Sequence, residues 1–160
     1  METDGRQSDM RIVESKDVAD IRSLAKEWLK IANGEEFSMD LYYDIAAENM
    51  ASLIKSGGTI LLAYEDDEDI PVGFFALSPM QSFFGRQLIA METMWFCLPN
   101  AHRAGPALLR AAKKWAVENG CSHLMVSGSR LASDLHDKVC HFCERSGGKQ
   151  FETVYLMEVT

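Results

Sequence analysis

The sequence predicts an α/β fold in which a mixed, mostly antiparallel sheet is flanked by helices. Three observations lead to that expectation. Short apolar runs alternate with stretches of helical spacing. Two of the runs, Thr59 to Glu65 and Pro71 to Ser78, are separated only by the charged turn Asp66 to Asp69, which makes them a hairpin. Later in the chain a strand, a helix and a strand follow one another, which is the pattern of a crossover between parallel neighbours. The predicted order is β-α-α-β-β-β-α-β-α-β, in a single domain over residues 1–160 with residues 1–9 as a polar lead-in.

Each element has a local reason. Met10 to Val13 is the first strand. From Asp17, an N-cap residue type, Val18, Ile21, Leu24, Ala25 and Trp28 recur at helical spacing. Asn33-Gly34 breaks that pattern, and Ser38 is read as the cap of a second helix carrying Tyr42, Ala46, Met50, Leu53 and Ile54. Ser56-Gly57-Gly58 ends it. After the hairpin, the loop Ser82 to Arg86 leads into a strand from Leu88 to Leu98. Pro99 and Asn100 stop the strand, and Leu108, Ala111, Ala112 and Trp115 mark an amphipathic helix that ends at Gly120. His123 to Ser127 is a short strand. A helix capped by Ser133 or Asp134 runs to Ser146, and Phe151 to Val159 reads as a closing strand.

Composition narrows the function. The 160 residues carry 16 basic and 24 acidic side chains and are 47% hydrophobic, which is enough for a real core. A net charge of −8 argues against a nucleic-acid partner. The charge is unevenly spread: residues 1–69 hold 17 acidic against 7 basic side chains, and residues 70–160 hold 7 against 9. The first half thus suits a cation and the second tolerates an anion. No apolar stretch approaches the ~20 residues of a membrane helix, and no apolar signal core is visible, so a cytoplasmic protein with no membrane partner is expected. Four cysteines in such a chain read as reduced thiols, with Cys97 and Cys121 as small core residues.

Glu92 is the one acid in the uncharged strand from Gln87 to Leu98. Among Met91, Met94, Trp95 and Phe96 it must be hydrogen-bonded, exposed at a cleft or raised in pKa, unless it simply lies on the wet side of the strand. Beyond Pro99, the small residues Ala104, Gly105 and Ala107 precede the Leu108-Leu109 pair of a helix, with Arg103 beside them. A helix N-terminus of this kind, where the backbone approaches closely and the dipole is positive, suits a phosphate. Pro106 removes one N–H from it. Arg110, Lys113 and Lys114 on the same helix either reach a more distant phosphate or form a solvated face.

The stretch from Ala90 to Gly120 resembles the acetyl-coenzyme A binding core of the GNAT superfamily of N-acetyltransferases, most closely the variants encoded by bacteriophages. The likeness rests on Glu92 and Trp95 in the strand, Pro99, the loop Asn100 to Ala107, Leu108-Leu109 and Trp115-Ala116. The element order extends it over nearly the whole chain from Met10. Counted forward from Pro99, His102 takes the Q/R place of the Q/R-x-x-G-x-G/A loop. Counted back from the leucines, Asn100 takes it. The resemblance implies that acetyl-CoA, the acyl donor, is bound by Trp95, Phe96, Cys97, Leu98, His102, Arg103, Ala104, Gly105, Ala107 and Leu108. It implies Glu92 as the general base for an amine acceptor. The tyrosine that often protonates the leaving thiolate is absent from the last helix, where Cys143 is the acid at hand or a small buried hydrophobe. Glu35 and Glu36, between the first two helices, would favour a cationic acceptor. The alternative function is a GNAT-like scaffold, catalytically weak or inactive, that binds a protein partner. A homodimer is also left open.

His136, Cys140 and Cys143 stand at i, i+4 and i+7 near His141, residue types that bind zinc. They are read here as packing residues, and no metal is expected. A Cys-His-Asp hydrolase has only its residue types in its favour.

Overall fold

A computed structural model describes residues 10–66 and 68–159. The expected lead-in 1–9 therefore lies outside the described residues. Strand β1 (Arg11–Ser15) is followed by a 3₁₀ turn at Val18–Ile21 and helix α1 (Arg22–Leu29), and the Asp17 side chain accepts from the Ala19 N–H as the expected cap. Helix α2 (Tyr43–Lys55), β2 (Thr59–Tyr64), β3 (Gly73–Gln81), β4 (Leu88–Cys97), α3 (Ala104–Glu118), β5 (His123–Met125) and α4 (His136–Arg145) complete the chain. Gly120 ends α3 with φ +74°, as its position in the sequence implied.

Three expectations are corrected. Neither Ser133 nor Asp134 caps α4, which begins at His136 with Leu135 in the cap position and no side-chain cap; the Ser133 hydroxyl accepts from the Leu135 N–H instead. Ser38 does not cap α2: it ends a 3₁₀ turn at Glu35–Phe37 with φ 51°, and α2 begins at Tyr43 without a side-chain cap. The closing strand from Phe151 to Val159 is not formed. Those residues carry no strand pairing, and Phe151, Val154, Tyr155, Leu156, Met157 and Val159 are exposed. The alternating pattern favours a strand, but a strand forms only where another edge supplies its hydrogen bonds.

The sheet runs in the order β1-β2-β3-β4-β5, antiparallel up to β4, with β5 parallel to β4. β2 and β3 are buried on both faces along most of their length, so they read as continuous apolar runs instead of alternating ones. Leu61, Ala63, Phe75, Leu77 and Ala90 face α3, meeting Leu108, Ala112 and Trp115. Ile60, Leu62, Phe74, Ala76 and Phe96 face the other way, onto Ile21, Leu24 and Met50. Burying apolar surface at about 25 cal/mol per Å² on both faces is what holds the layers together.

One irregularity places the site. Leu77 pairs with Glu92 and Ala76 with Met94, so Thr93 is an extra residue in β4, a β-bulge, and its Oγ1 donates to the Ala76 carbonyl. The bulge reverses the alternation of β4. Leu88 and Ala90 before it face α3, and so do Trp95 and Cys97 after it, while Met94 and Phe96 point to α1 and α2. Glu92 keeps the parity of Leu88 and Ala90. It therefore shares a face with Trp95, three residues on.

Candidate active site

The site is built where β4 and β5 part. Their parallel ladder covers only Ile89, Ala90 and Met91 against His123, Leu124 and Met125. Beyond it β4 continues through Cys97 with no strand among the described residues on that edge, while its other edge stays zipped to β3. At the point of divergence, the Glu92 carboxylate takes over from the ladder: its Oε2 accepts the Ser127 N–H at 3.0 Å and the Ser127 hydroxyl at 2.7 Å. Among the described residues no hydrogen bond is made to Oε1. Burial pushes the Glu92 carboxyl above the usual range, and the two Ser127 hydrogen bonds only partly oppose this. The wet-side alternative for Glu92 is thereby replaced by a half-buried, hydrogen-bonded carboxylate on the face of α3 and α4.

Trp95 lies over the same face. Its ring centroid is 5.2 Å from that of Phe75 and 6.0 Å from that of Phe142 on α4. A Cβ at Gly105 would stand 3.6 Å from the Trp95 ring, so the first turn of α3 rests on this indole. Phe96 points to the opposite face, buried against Phe74 at 6.4 Å, which leaves only its backbone toward the cleft. Cys97 is packed beneath α3, where a Cβ on Gly73 would come within 2.9 Å of its sulfur, and burial pushes its thiol up to about 11. Leu98 packs against both faces of the core and donates its N–H to Val72.

The loop before α3 divides into two groups. Ala104, Ala107 and Leu108 are buried, and their small or apolar side chains serve the close approach of helix to sheet. His102 and Arg103 are exposed, Arg103 at the N-cap position, and Gly105 is half-buried above Trp95. Backbone turn bonds already engage the Ala104 and Ala107 amides, through the Ala101 and Arg103 carbonyls. Pro106 has none to offer, so the Gly105 N–H is the donor of this turn outside those bonds. Lys113 donates to the Ser146 carbonyl and Lys114 pairs with Glu118, which assigns those two cations to the protein's own surface.

Cys143 on α4 is close enough to Glu92 to feel its charge. Burial is the main cause raising its thiol, with Cys140, Glu92 and Glu144 adding to it. Cys140 lies 3.8–4.0 Å from the His136 ring nitrogens, yet among the described residues no three His, Cys, Asp or Glu side chains are grouped to hold a metal ion.

Sequence reasoning missed three features. Ser127, 35 residues from Glu92, carried no local signal. Neither did the tether between the segment after α1 and the one after β5, where Asn33 bonds the Arg130 and Leu131 carbonyls and Asp134, and Glu36 pairs with Arg130. Glu36 is thus already matched by a cation of the chain itself. The spacing Cys140-His141-Phe142-Cys143 is a C-x-x-C motif in plain view in the sequence, and the structure puts it on α4 beside the cleft.

Comparison with known proteins agrees with this fold. No curated protein matches the sequence significantly. Among solved structures, an aminoglycoside N-acetyltransferase in complex with CoA superposes with a TM-score of 0.71 at 16% identity, covering 97% of both chains. The same enzyme with the bisubstrate analogue CoA-S-monomethyl-acetylneamine gives 0.67 at 16%, covering 96% of this chain and 99% of that one. A Trypanosoma brucei acetyltransferase gives 0.64 at 17%, covering 94% and 100%. At such identities these likenesses concern the fold. Among the described residues no helix is long and apolar enough to cross a membrane. The acetyltransferase (GNAT) family model matches residues 20–148, from the 3₁₀ turn before α1 to the glycines that close α4, and over that span the chain belongs to the GNAT family of acetyltransferases.

Proposed function

We propose that the protein transfers the acetyl group of acetyl-CoA directly to an amine, with Glu92 as general base. The observation that carries this is the Glu92 carboxylate at the parting of β4 and β5, hydrogen-bonded through one oxygen and raised in pKa by burial. An amine of lysine-like pKa is neutral in only about one molecule in several thousand at pH 7, so a base is useful. Oε1 of Glu92 takes the amine proton, directly or through a water. The nitrogen attacks the thioester carbon, the C–N bond forms, and the negative charge gathers on the carbonyl oxygen. Backbone N–H groups of β4 near Trp95 and Phe96 are assigned to stabilise it. The C–S bond then breaks and the thiolate leaves.

Cys143 is assigned as the proton donor to that thiolate. Its raised pKa keeps it protonated at neutral pH but makes it a reluctant acid, so water shares the step. The Gly105 amide and Arg103, at the start of α3, are assigned to the pyrophosphate of the donor, and Trp95 to the wall of the cleft. The acceptor is read as an amine-bearing cation, from the acidity of residues 1–69, in which Glu35 and not the paired Glu36 faces solvent unmatched by Arg130. The same reading puts the enzyme in the cytoplasm, that of the host for a phage-encoded chain, without nucleic-acid or membrane partners. No observation favours the non-catalytic scaffold.

The test is to incubate the protein with acetyl-CoA and a panel of di- and polyamines and aminoglycosides, following release of the free thiol and acetylated products by mass spectrometry. Acetyl-CoA at 100 times its dissociation constant should also stabilise the fold by about 2.7 kcal/mol. Absence of both effects would remove the assignment.

A further inference from the structure

Helix α4 carries two thiols within one turn. Cys140 and Cys143 stand three residues apart, which on a helix sets their Cα atoms about 5 Å apart, within the roughly 4.4–6.8 Å that a disulfide spans. All four cysteines of the chain are free in the structure, and these are the two that share an element. Both are half-buried, which leaves them open to a small reagent. The other two are shut away: Cys121 is buried, and Cys97 lies beneath α3 with its thiol pushed up to about 11 by burial.

The two sulfurs differ in their surroundings. The Cys140 sulfur lies 3.8 and 4.0 Å from the two ring nitrogens of His136, one turn earlier, so an imidazole stands ready to accept its proton. A Cβ on Gly128 would come within 2.7 Å of the same sulfur, which therefore rests on the backbone next to Ser127, the residue that holds Glu92. At Cys143, burial holds the thiol up, with Cys140 and Glu92 adding to it. Cys140 is thus the attacking thiol and Cys143 the one that resolves. To bond, the pair must draw together from the ~5–6 Å between Cβ atoms in a helix to the ~4 Å of a disulfide. The turn is built to tighten: the Ser146 N–H bonds the Phe142 carbonyl at 3.0 Å and the Cys143 carbonyl at 3.1 Å, so α4 is already passing into the i→i+3 pattern there.

We propose that Cys140 and Cys143 form a dithiol site that low-molecular-weight disulfides oxidise to an intrachain disulfide. His136 takes the Cys140 proton. The thiolate attacks one sulfur of the reagent, whose S–S bond breaks as a mixed disulfide forms on Cys140, and the first small thiolate leaves with the proton from His136. Cys143 then attacks the Cys140 sulfur, the mixed disulfide breaks, and the second small thiolate takes up the Cys143 proton. Two electrons pass from the pair to the reagent, which departs as two thiols. Closure draws the Cys140 sulfur off Gly128 and consumes the Cys143 proton, so the support of Glu92 and the acid of the cleft change together, a consequence that rests on the acetyl transfer proposed above.

The experiment treats the full chain with glutathione disulfide under native conditions and follows the intact mass. Wild type should lose two hydrogens, with the loss confined to the tryptic peptide 139–145 that holds both cysteines, and dithiothreitol should restore them. Cys143→Ser should instead stop with one glutathione on Cys140, and Cys140→Ser should close no bond in that peptide. With an acceptor that the reduced enzyme acetylates, oxidation should lower turnover reversibly by about 10- to 100-fold, while Cys140→Ser keeps the reduced rate and does not respond. An unchanged mass, a disulfide that links other cysteines or two copies, a mixed disulfide that persists in wild type, or a Cys143→Ser variant that never takes up glutathione each overturns the site. Full turnover by the oxidised enzyme overturns its link to the cleft. The mass results need no acceptor, so failure of the acetyl transfer itself shows separately, as a chain that closes the bond and acetylates nothing.

Discussion

The two edges of β4 differ in a way that separates structure from chemistry. Toward β3 the strand is paired along nine positions, Leu88 to Cys97 with only Thr93 left out, whereas toward β5 it is paired at three and then has no strand beside it among the described residues. Backbone groups that have no partner in the fold cost free energy unless something meets them. The zipped edge holds the strand in place with its side chains fixed, and the open edge offers unpaired backbone to a ligand. A rigid strand with one edge open thus combines two demands on an active site, preorganised geometry and unused hydrogen-bonding capacity.

The contrast can be broken most severely at Glu92, where the two edges meet the acid chemistry. Glu92→Gln keeps the shape and can still accept from Ser127, so turnover should fall by about 10²–10⁴-fold while the donor's affinity stays nearly constant and the acidic limb of the pH–rate profile disappears. Steady-state kinetics with a verified acceptor decides this, and wild-type rates near neutral pH would make Glu92 structural. At the far end of the open edge, Arg103→Glu should weaken CoA binding by about 10- to 100-fold, read by titration calorimetry on the folded variant. Unchanged affinity would remove the phosphate site from the start of α3.

Two smaller effects sharpen the comparison. The Ser127 hydrogen bonds favour the charged carboxylate, so Ser127→Ala, which removes the hydroxyl and leaves the N–H, should raise the Glu92 pKa further. The active form is the carboxylate, hence the acidic limb moves to higher pH: activity drops in mildly acidic buffer and converges with wild type as pH rises. A limb that stays in place would dissociate Glu92 from it. Cys143→Ala should cost less than about tenfold in turnover, since a thiol held above its ordinary pKa contributes little as an acid. A larger loss with intact folding would make the thiol the principal donor.

How much of this could be read from residues alone depended on the distance over which a signal acts. The hairpin of β2 and β3, the cap at Asp17 and the stop at Gly120 were legible because each is decided within a few residues of backbone preference. Ser38 was misread because residue type alone suggested a cap, whereas its φ of 51° is an uncommon conformation for serine that the turn ending at Phe37 imposes. Glu92 stood out as a lone acid among apolar neighbours. Its partner Ser127 and the Glu36–Arg130 pair did not, because contacts spanning 35 and 94 residues are set by topology and leave no local pattern. The final strand is the reverse case. Its pattern was legible, but its partner is not within the fold described.

The bulge at Thr93 has a consequence best put in terms of insertions and deletions. β4 changes phase at that residue, so even and odd positions exchange faces on passing it. Loss of Thr93 would leave every face as it is, because Glu92, Met94, Trp95, Phe96 and Cys97 would then alternate regularly; straightening the bulge with Thr93 retained would instead re-address half the strand, sending Trp95 and Cys97 to the layer of α1 and α2 and Met94 and Phe96 toward α3. A comparison of related chains that counts identical residues would score a straightened strand as no change at all. For this site it is the difference between an acid and an indole sharing one cleft and standing on opposite sides of a sheet.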